Sequence, residues 1–117
     1  VYMAGAAYLE AGDLENAKAY LAKYENAEGA AGEIINALVY TLRGDIAVEE
    51  NDLQSAAELF TKALEASDDM YTAETATRKV ALVYATMGDA QKASEAYKAL
   101  VAKYPELTIS YAKYIAE

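Results

Sequence analysis

ALVYATMGDAQKASEAYKALVAKYP, residues 81–105, reads as one helix, a tight turn and a second helix running back along the first. Val80, Tyr84 and Met87 recur at helical spacing before the turn, and Ala93, Tyr97, Leu100 and Tyr104 recur after it, so each helix carries one apolar stripe. Gly88 suits the left-handed backbone that ends a helix, and Asp89 suits the cap that begins the next. Ala93 is small where a larger residue would push the two helices apart. Pro105 cannot continue the second helix, which predicts that the hairpin stops there.

The same pattern occurs three times. Gly12-Asp13, Asn51-Asp52 and Gly88-Asp89 form the turns. At equal spacing after each stand Ala17, Ala56 and Ala93, then Leu21, Phe60 and Tyr97, then Tyr24, Ala63 and Leu100. Before each turn comes a small residue, Gly5, Gly44 or Ala81, followed three positions later by Tyr8, Ala47 or Tyr84. Helices are expected near Tyr2–Ala11, Leu14–Glu25, Gly32–Glu50, Leu53–Ala66, Met70–Met87 and Ala90–Tyr104. A last helix is expected over Thr108–Ala116, with Thr108 as its cap. Gly44 falls inside the third of these at a cost of about 1 kcal/mol relative to Ala, which close approach of a neighbouring helix would explain. The alternative is a turn at Gly44-Asp45.

Together these residues resemble the tetratricopeptide repeat family: a small residue and then an aromatic in the first helix, a Gly-Asp turn, a small residue in the second helix and a closing Pro. The copy at 74–107 carries the pattern most fully, with Ala81, Tyr84, Gly88, Asp89, Ala93, Tyr97 and Pro105. The copy at 37–70 has Ala47 in the aromatic position and Asn51 in place of Gly, and the copy at 1–30 has no closing Pro. The resemblance implies an all-α antiparallel solenoid of three helical hairpins and a terminal helix, 108–117, forming one domain. The chain opens at Val1 in what reads as the middle of a helix, which predicts a piece of a longer protein. The turns stand further apart than the family's standard repeat of about 34 residues. The surplus is expected around NAEGAAG, residues 26–32, and Ser67-Asp68-Asp69, as longer helices or as loops.

The 117 residues suffice for one core. One Pro and abundant Ala, Leu, Glu and Lys favour helix throughout. Net charge is −9, distributed as −3 over residues 1–30, −7 over 31–72 and +1 over 73–117. An acidic middle argues against nucleic acid and against anionic membrane surfaces, both of which select basic proteins. There is no Cys, hence no disulfide framework or thiol chemistry. The longest uncharged runs, such as IINALVYTL at 34–42, are too short to span a bilayer.

Catalytic residues are not expected. With no His and no Cys, the commonest general base, the thiol nucleophile and the usual zinc ligands are missing. No nucleotide-binding, hydrolase or metalloprotease motif is present, and Thr75 and Thr77 beside Arg78-Lys79 point different ways on a helix. The acidic pairs Glu49-Glu50 and Asp68-Asp69 read as helix ends and caps, since a calcium loop needs alternating oxygen ligands and a turn Gly. No cofactor and no metal are expected. Tyr8, Tyr84 and Tyr97 are expected in the core. Tyr104, Tyr111 and Tyr114 are expected to cover the last hairpin or to mark a contact.

The resemblance also implies a concave surface, lined by the first helices of successive hairpins, that receives a protein or peptide segment. Its positions here are Tyr2, Ala6, Leu9 and Glu10, then Leu38, Thr41, Asp45, Val48 and Glu49, then Thr75, Arg78, Leu82, Ala85 and Thr86. The carboxylate clamp of some family members maps to Tyr2, Ala6, Leu42, Thr75 and Lys79, of which only Lys79 has the right chemistry. Asp45 and Glu49 make the centre acidic. Arg78 is expected either to pair with Asp45 or to leave that acidity to a neutral or basic segment. A non-catalytic interaction scaffold is the leading reading. The alternatives are self-assembly through exposed end faces, by Tyr111, Ile115 or the first helix, and a small-molecule or lipid carrier. The lengthened repeats and the Tyr-Pro ending followed by Ser-Tyr-Ala are similar to bacterial cell-envelope members of the family, including accessory factors of the secretory translocon.

Overall fold

The two turns Asn51-Asp52 and Gly88-Asp89 end one helix and begin the next by the same device. Asn51 and Gly88 take left-handed backbone, with φ of 60° and 84°. The N–H groups of Asn51 and Asp52 donate to the carbonyls of Val48 and Ala47, at 2.9 and 2.8 Å. Those of Gly88 and Asp89 donate to Ala85 and Tyr84, at 3.0 and 2.8 Å. This paired reach back satisfies carbonyls that a helix end leaves bare. Each Asp then turns its carboxylate to the following helix, accepting from the N–H of Ser55 at 3.2 Å or of Lys92 at 3.0 Å. Asn replaces Gly in the first turn because its short polar side chain tolerates left-handed backbone.

The structure, a computed structural model, describes residues 29–115 together with Glu15, Asn16 and Ala19, these three helical. The helices are α1 (Gly29–Glu49), α2 (Leu53–Ala66), α3 (Met70–Thr86), α4 (Ala90–Lys103) and the single turn α5 (Thr108–Tyr111), flanked by 3₁₀ turns at Pro105–Leu107 and Ala112–Tyr114. α1 packs on α2, α2 on α3 and α3 on α4, giving two antiparallel hairpins stacked in an all-α solenoid. No strand occurs among the described residues. The expected helices over 2–11 and 14–25, their turn at Gly12-Asp13, and Tyr8 as core lie outside them.

Gly44 lies mid-helix in α1, so the alternative turn at Gly44-Asp45 does not form. A Cβ at Gly44 would stand 2.4 Å from Cε1 of Phe60 and 2.6 Å from Cδ1. The missing side chain thus lets the Phe60 ring lie directly on the α1 backbone. Phe60 is 1% exposed and joins Ala47, Ala56, Ala57, Val80 and Val83 in the main core. Ala47, where the third copy has an aromatic, belongs to this same cluster, and Tyr84 of the third copy packs against it from α3, whereas Tyr97 packs on the separate cluster of Ala73, Leu100 and Tyr111. Burial of a ring such as Phe60 contributes about 1.5–3 kcal/mol.

The hairpins are joined by Ser67-Asp68-Asp69. Ser67 is buried and its hydroxyl accepts from the N–H of Asp69 at 3.0 Å, while Asp69 caps α3 through the N–H of Thr72 at 2.9 Å. Asp68 pairs with Lys103, which holds its carboxyl below the usual carboxylate range, and the Tyr104 hydroxyl donates to its carbonyl. The three connections between α1 and α4 are each three residues long, and the surplus length of these described repeats enters the helices. α3 has 17 residues, and α1 has 21, beginning at Gly29 rather than the expected Gly32. Met87, placed by its spacing on the α3 stripe, is instead the exposed residue that closes the helix.

Pro105 ends α4 as its missing N–H requires, but the terminal helix is shorter than Thr108–Ala116. Thr108 does not cap it; its hydroxyl donates back to the Pro105 carbonyl at 2.7 Å. This short tail carries a ring stack. Tyr97 of α4, at the position Phe60 holds in the preceding hairpin, lies 5.3 Å from Tyr111 and 5.0 Å from Tyr114, both nearly parallel. Tyr111 is buried, and its hydroxyl donates to Glu74 Oε1 of α3 at 2.6 Å. The ring that the next hairpin covers in Phe60 is here covered by the chain's own tail.

Two expectations follow. Gly44→Ala gains about 1 kcal/mol of helix propensity but forces a fully packed ring aside, which typically costs about 1–3 kcal/mol. A net loss of about 1 kcal/mol in urea unfolding is expected, and Phe60→Leu in the same chain should recover part of it, so that the two changes are less than additive. Burial first, then the Glu74 hydrogen bond, raise the Tyr111 phenol above its ordinary value of 10.0. The folded state thus holds this proton more tightly, so its contribution is complete below pH 10 and is lost as pH rises through the folded value. Stability measured from pH 8 to 11.5 should fall more steeply above pH 10 in the native chain than in Tyr111→Phe, with tyrosinate absorbance as the titration readout.

Candidate partner-binding cleft

α1 and α3 run in the same direction, each packed against α2, and a cleft of about 600 Å³ opens between them. The stagger of the solenoid decides which side chains face each other. Asp45 of α1 meets Lys79 of α3, with Nζ 2.7 and 2.8 Å from the two carboxylate oxygens. One turn further along, Val48 and Glu49 face Leu82, Val83 and Thr86. Phe60 and Leu53 of α2 also line the space. The cleft thus has a partly exposed ion pair, apolar side chains and an acidic residue at the end of α1.

Of the groove residues inferred from sequence, Asp45, Val48, Glu49, Leu82 and Thr86 line this one space. Thr41 does not: it is buried, and its hydroxyl donates to the Ala37 carbonyl at 2.8 Å. Arg78 does not either. Its guanidinium reaches Glu74 at 3.6 Å and the Tyr111 hydroxyl at 3.5 Å, so the cation opposite Asp45 is Lys79 and not Arg78. Residues 78 and 79 lie about 100° apart around a helix, and only Lys79 turns toward α1. Its engagement with Asp45 also removes the one basic position of the carboxylate clamp. Tyr2, Ala6, Leu9 and Glu10 lie outside the described residues.

Phe60, Leu53 and Val83 were not inferred as groove residues, and Lys79 was inferred only as a position of the carboxylate clamp, not as the partner of Asp45. Phe60 was legible as the repeat's large residue after the small Ala56; its contact with Gly44 and its place on the cleft needed the structure. Lys79 was hidden by the stagger, since equal spacing sets Asp45 beside Leu82. Leu82 is 68% exposed and Val48 39%, a large apolar display for two neighbouring positions. Among the described residues no helix is long and apolar enough to cross a membrane.

A tetratricopeptide repeat family model matches residues 1–27 and 78–106, and a second tetratricopeptide repeat model matches residues 37–70. Searches of the curated proteins and of the solved structures return no significant match. The three matched segments span most of the chain, and the hairpins, turns and interlocked small and large residues described above are those of such repeats. The chain belongs to the tetratricopeptide repeat family.

Proposed function

We propose that this chain is a non-catalytic scaffold whose α1–α3 cleft receives a segment of a partner protein. Repeats of this family generally mediate protein–protein interaction. The observation that carries the reading is Leu82, 68% exposed on the wall of a preformed cleft whose framework is fixed by packed helices. A rigid concave surface binds without the entropy cost of ordering itself. The Asp45–Lys79 pair spans the space and interrupts its apolar lining, which disfavours a lipid carrier.

Self-association is the second reading, favoured by Ile109, 93% exposed on α5. Of the end-face candidates Tyr111, Ile115 and the first helix, Tyr111 is taken up in the chain's own ring stack. A place in the bacterial cell envelope, on the periplasmic side, is the localisation that the lengthened repeats and the Tyr-Pro ending suggest.

One photocrosslinking experiment separates the readings. A photoreactive residue replaces Leu82, Lys98 or Ile109 in turn, and the chain is irradiated in extract. Adducts to one foreign segment from position 82, with none from 98, are expected. Equal labelling from 82 and 98 would sink the cleft reading, and products containing only this chain, formed from 109, would establish self-assembly.

A further inference from the structure

We propose that the cleft selects a segment in which an apolar side chain stands one or two positions from a Lys or Arg, with the basic group lying at the Glu49 end. The inference rests on the cleft being the binding surface and adds the chemistry of its occupant. Its first support is the disposition of charge. Asp45 is neutralised by Lys79 at 2.7 Å, whereas Glu49, one turn on, has no cationic partner among the described residues. A carboxylate at the mouth of an apolar space favours a cation that sits over it while the neighbouring side chain enters.

The second support is the direction of the helices. α1 and α3 end at the same side of the cleft, at Glu49 and Thr86, and neither has a basic residue in its last turn. A helix C-terminus carries about half a negative charge, which a nearby Lys or Arg ordinarily offsets. Here two such ends converge beside Glu49 with no basic residue of their own. The field at this end therefore favours a cation supplied from outside. The surrounding residues 31–72, at net −7, reinforce it and would speed the approach of a basic segment.

Spacing fixes the motif. Asp45 and Glu49 are four residues apart on α1, about 6 Å along the axis, and an extended segment advances about 3.3 Å per residue. A side chain entering between Val48 and Leu82 therefore has its cationic neighbour one or two residues away. The Asp45–Lys79 pair closes the opposite end and leaves no free charge for a second contact.

The test uses a phage-displayed library of random dodecapeptides selected on the full chain, followed by fluorescence polarisation of the enriched peptides. Expected are peptides pairing Leu, Ile, Met or Phe with a nearby Lys or Arg. Glu49→Gln should weaken them about three- to fivefold and Glu49→Lys about tenfold. Leu82→Asp, a change at an exposed position, should abolish binding with the circular dichroism spectrum unchanged. Peptides lost on Leu82→Asp but lacking a basic residue, or indifferent to Glu49→Lys, would overturn the inference and leave the cleft intact as a site. Binding that ignores Leu82→Asp, or no enrichment at all, would overturn the cleft reading together with it.

Discussion

The absence of one side chain, at Gly44, sets the distance between α1 and α2. With hydrogen in place of a methyl group, the Phe60 ring rests against α1 and closes the core that Ala47, Val80 and Val83 complete. The same ring lines the cleft, so the contact that holds the hairpin together also gives the candidate site its apolar interior. Ala56, fully buried on α2, keeps the helices close in the same manner. Close approach through small residues makes each hairpin stiff, because a packed interior has no room for one helix to slide on the other.

Each apolar face of a solenoid hairpin needs a neighbour to cover it. After α4 the chain folds back so that Tyr111 and Tyr114 stack on Tyr97. These two rings lie on Tyr97 as the following hairpin lies on Phe60, and the Tyr111 hydroxyl donates to Glu74. Tyrosine suits this position because its ring fills apolar space while its hydroxyl finds a partner at the rim. Glu74, in turn, lies within reach of Arg78, so the tail is fastened to α3 through charged groups on the helix that also walls the cleft.

The hairpins were legible in the sequence because their punctuation is local: Asn51-Asp52 and Gly88-Asp89 act within a few residues, and the apolar stripes recur at helical period. Gly44 announced a close contact for the same reason, since a helix keeps a Gly only where something approaches it. The partner of Asp45 was not legible. Whether Arg78 or Lys79 faces α1 depends on the angle and stagger between two helices separated by a third, which no local pattern encodes. Thr41 was misplaced on the groove for a related reason: its hydroxyl is satisfied by its own helix, at Ala37, so a polar residue sits comfortably where the surface was expected. The short tail sets Tyr111 and Tyr114 on Tyr97, a tertiary contact that the helical pattern of 108–116 does not encode.

The three-residue connections have a consequence for how such a chain can change in length. In each, nearly every backbone or side-chain group is committed: Asp52 and Asp89 close one helix and open the next, and Ser67 and Asp69 do the same work between hairpins. An added residue finds no slack there and must enter a helix, where it rotates all that follows by about 100°. One residue inserted in α3 ahead of Lys79 would therefore swing Leu82 and Thr86 off the cleft, whereas three or four would bring nearly the same face back. The phase of α3, more than its composition, decides what the cleft presents, and growth by about one whole turn is the change that leaves it in register.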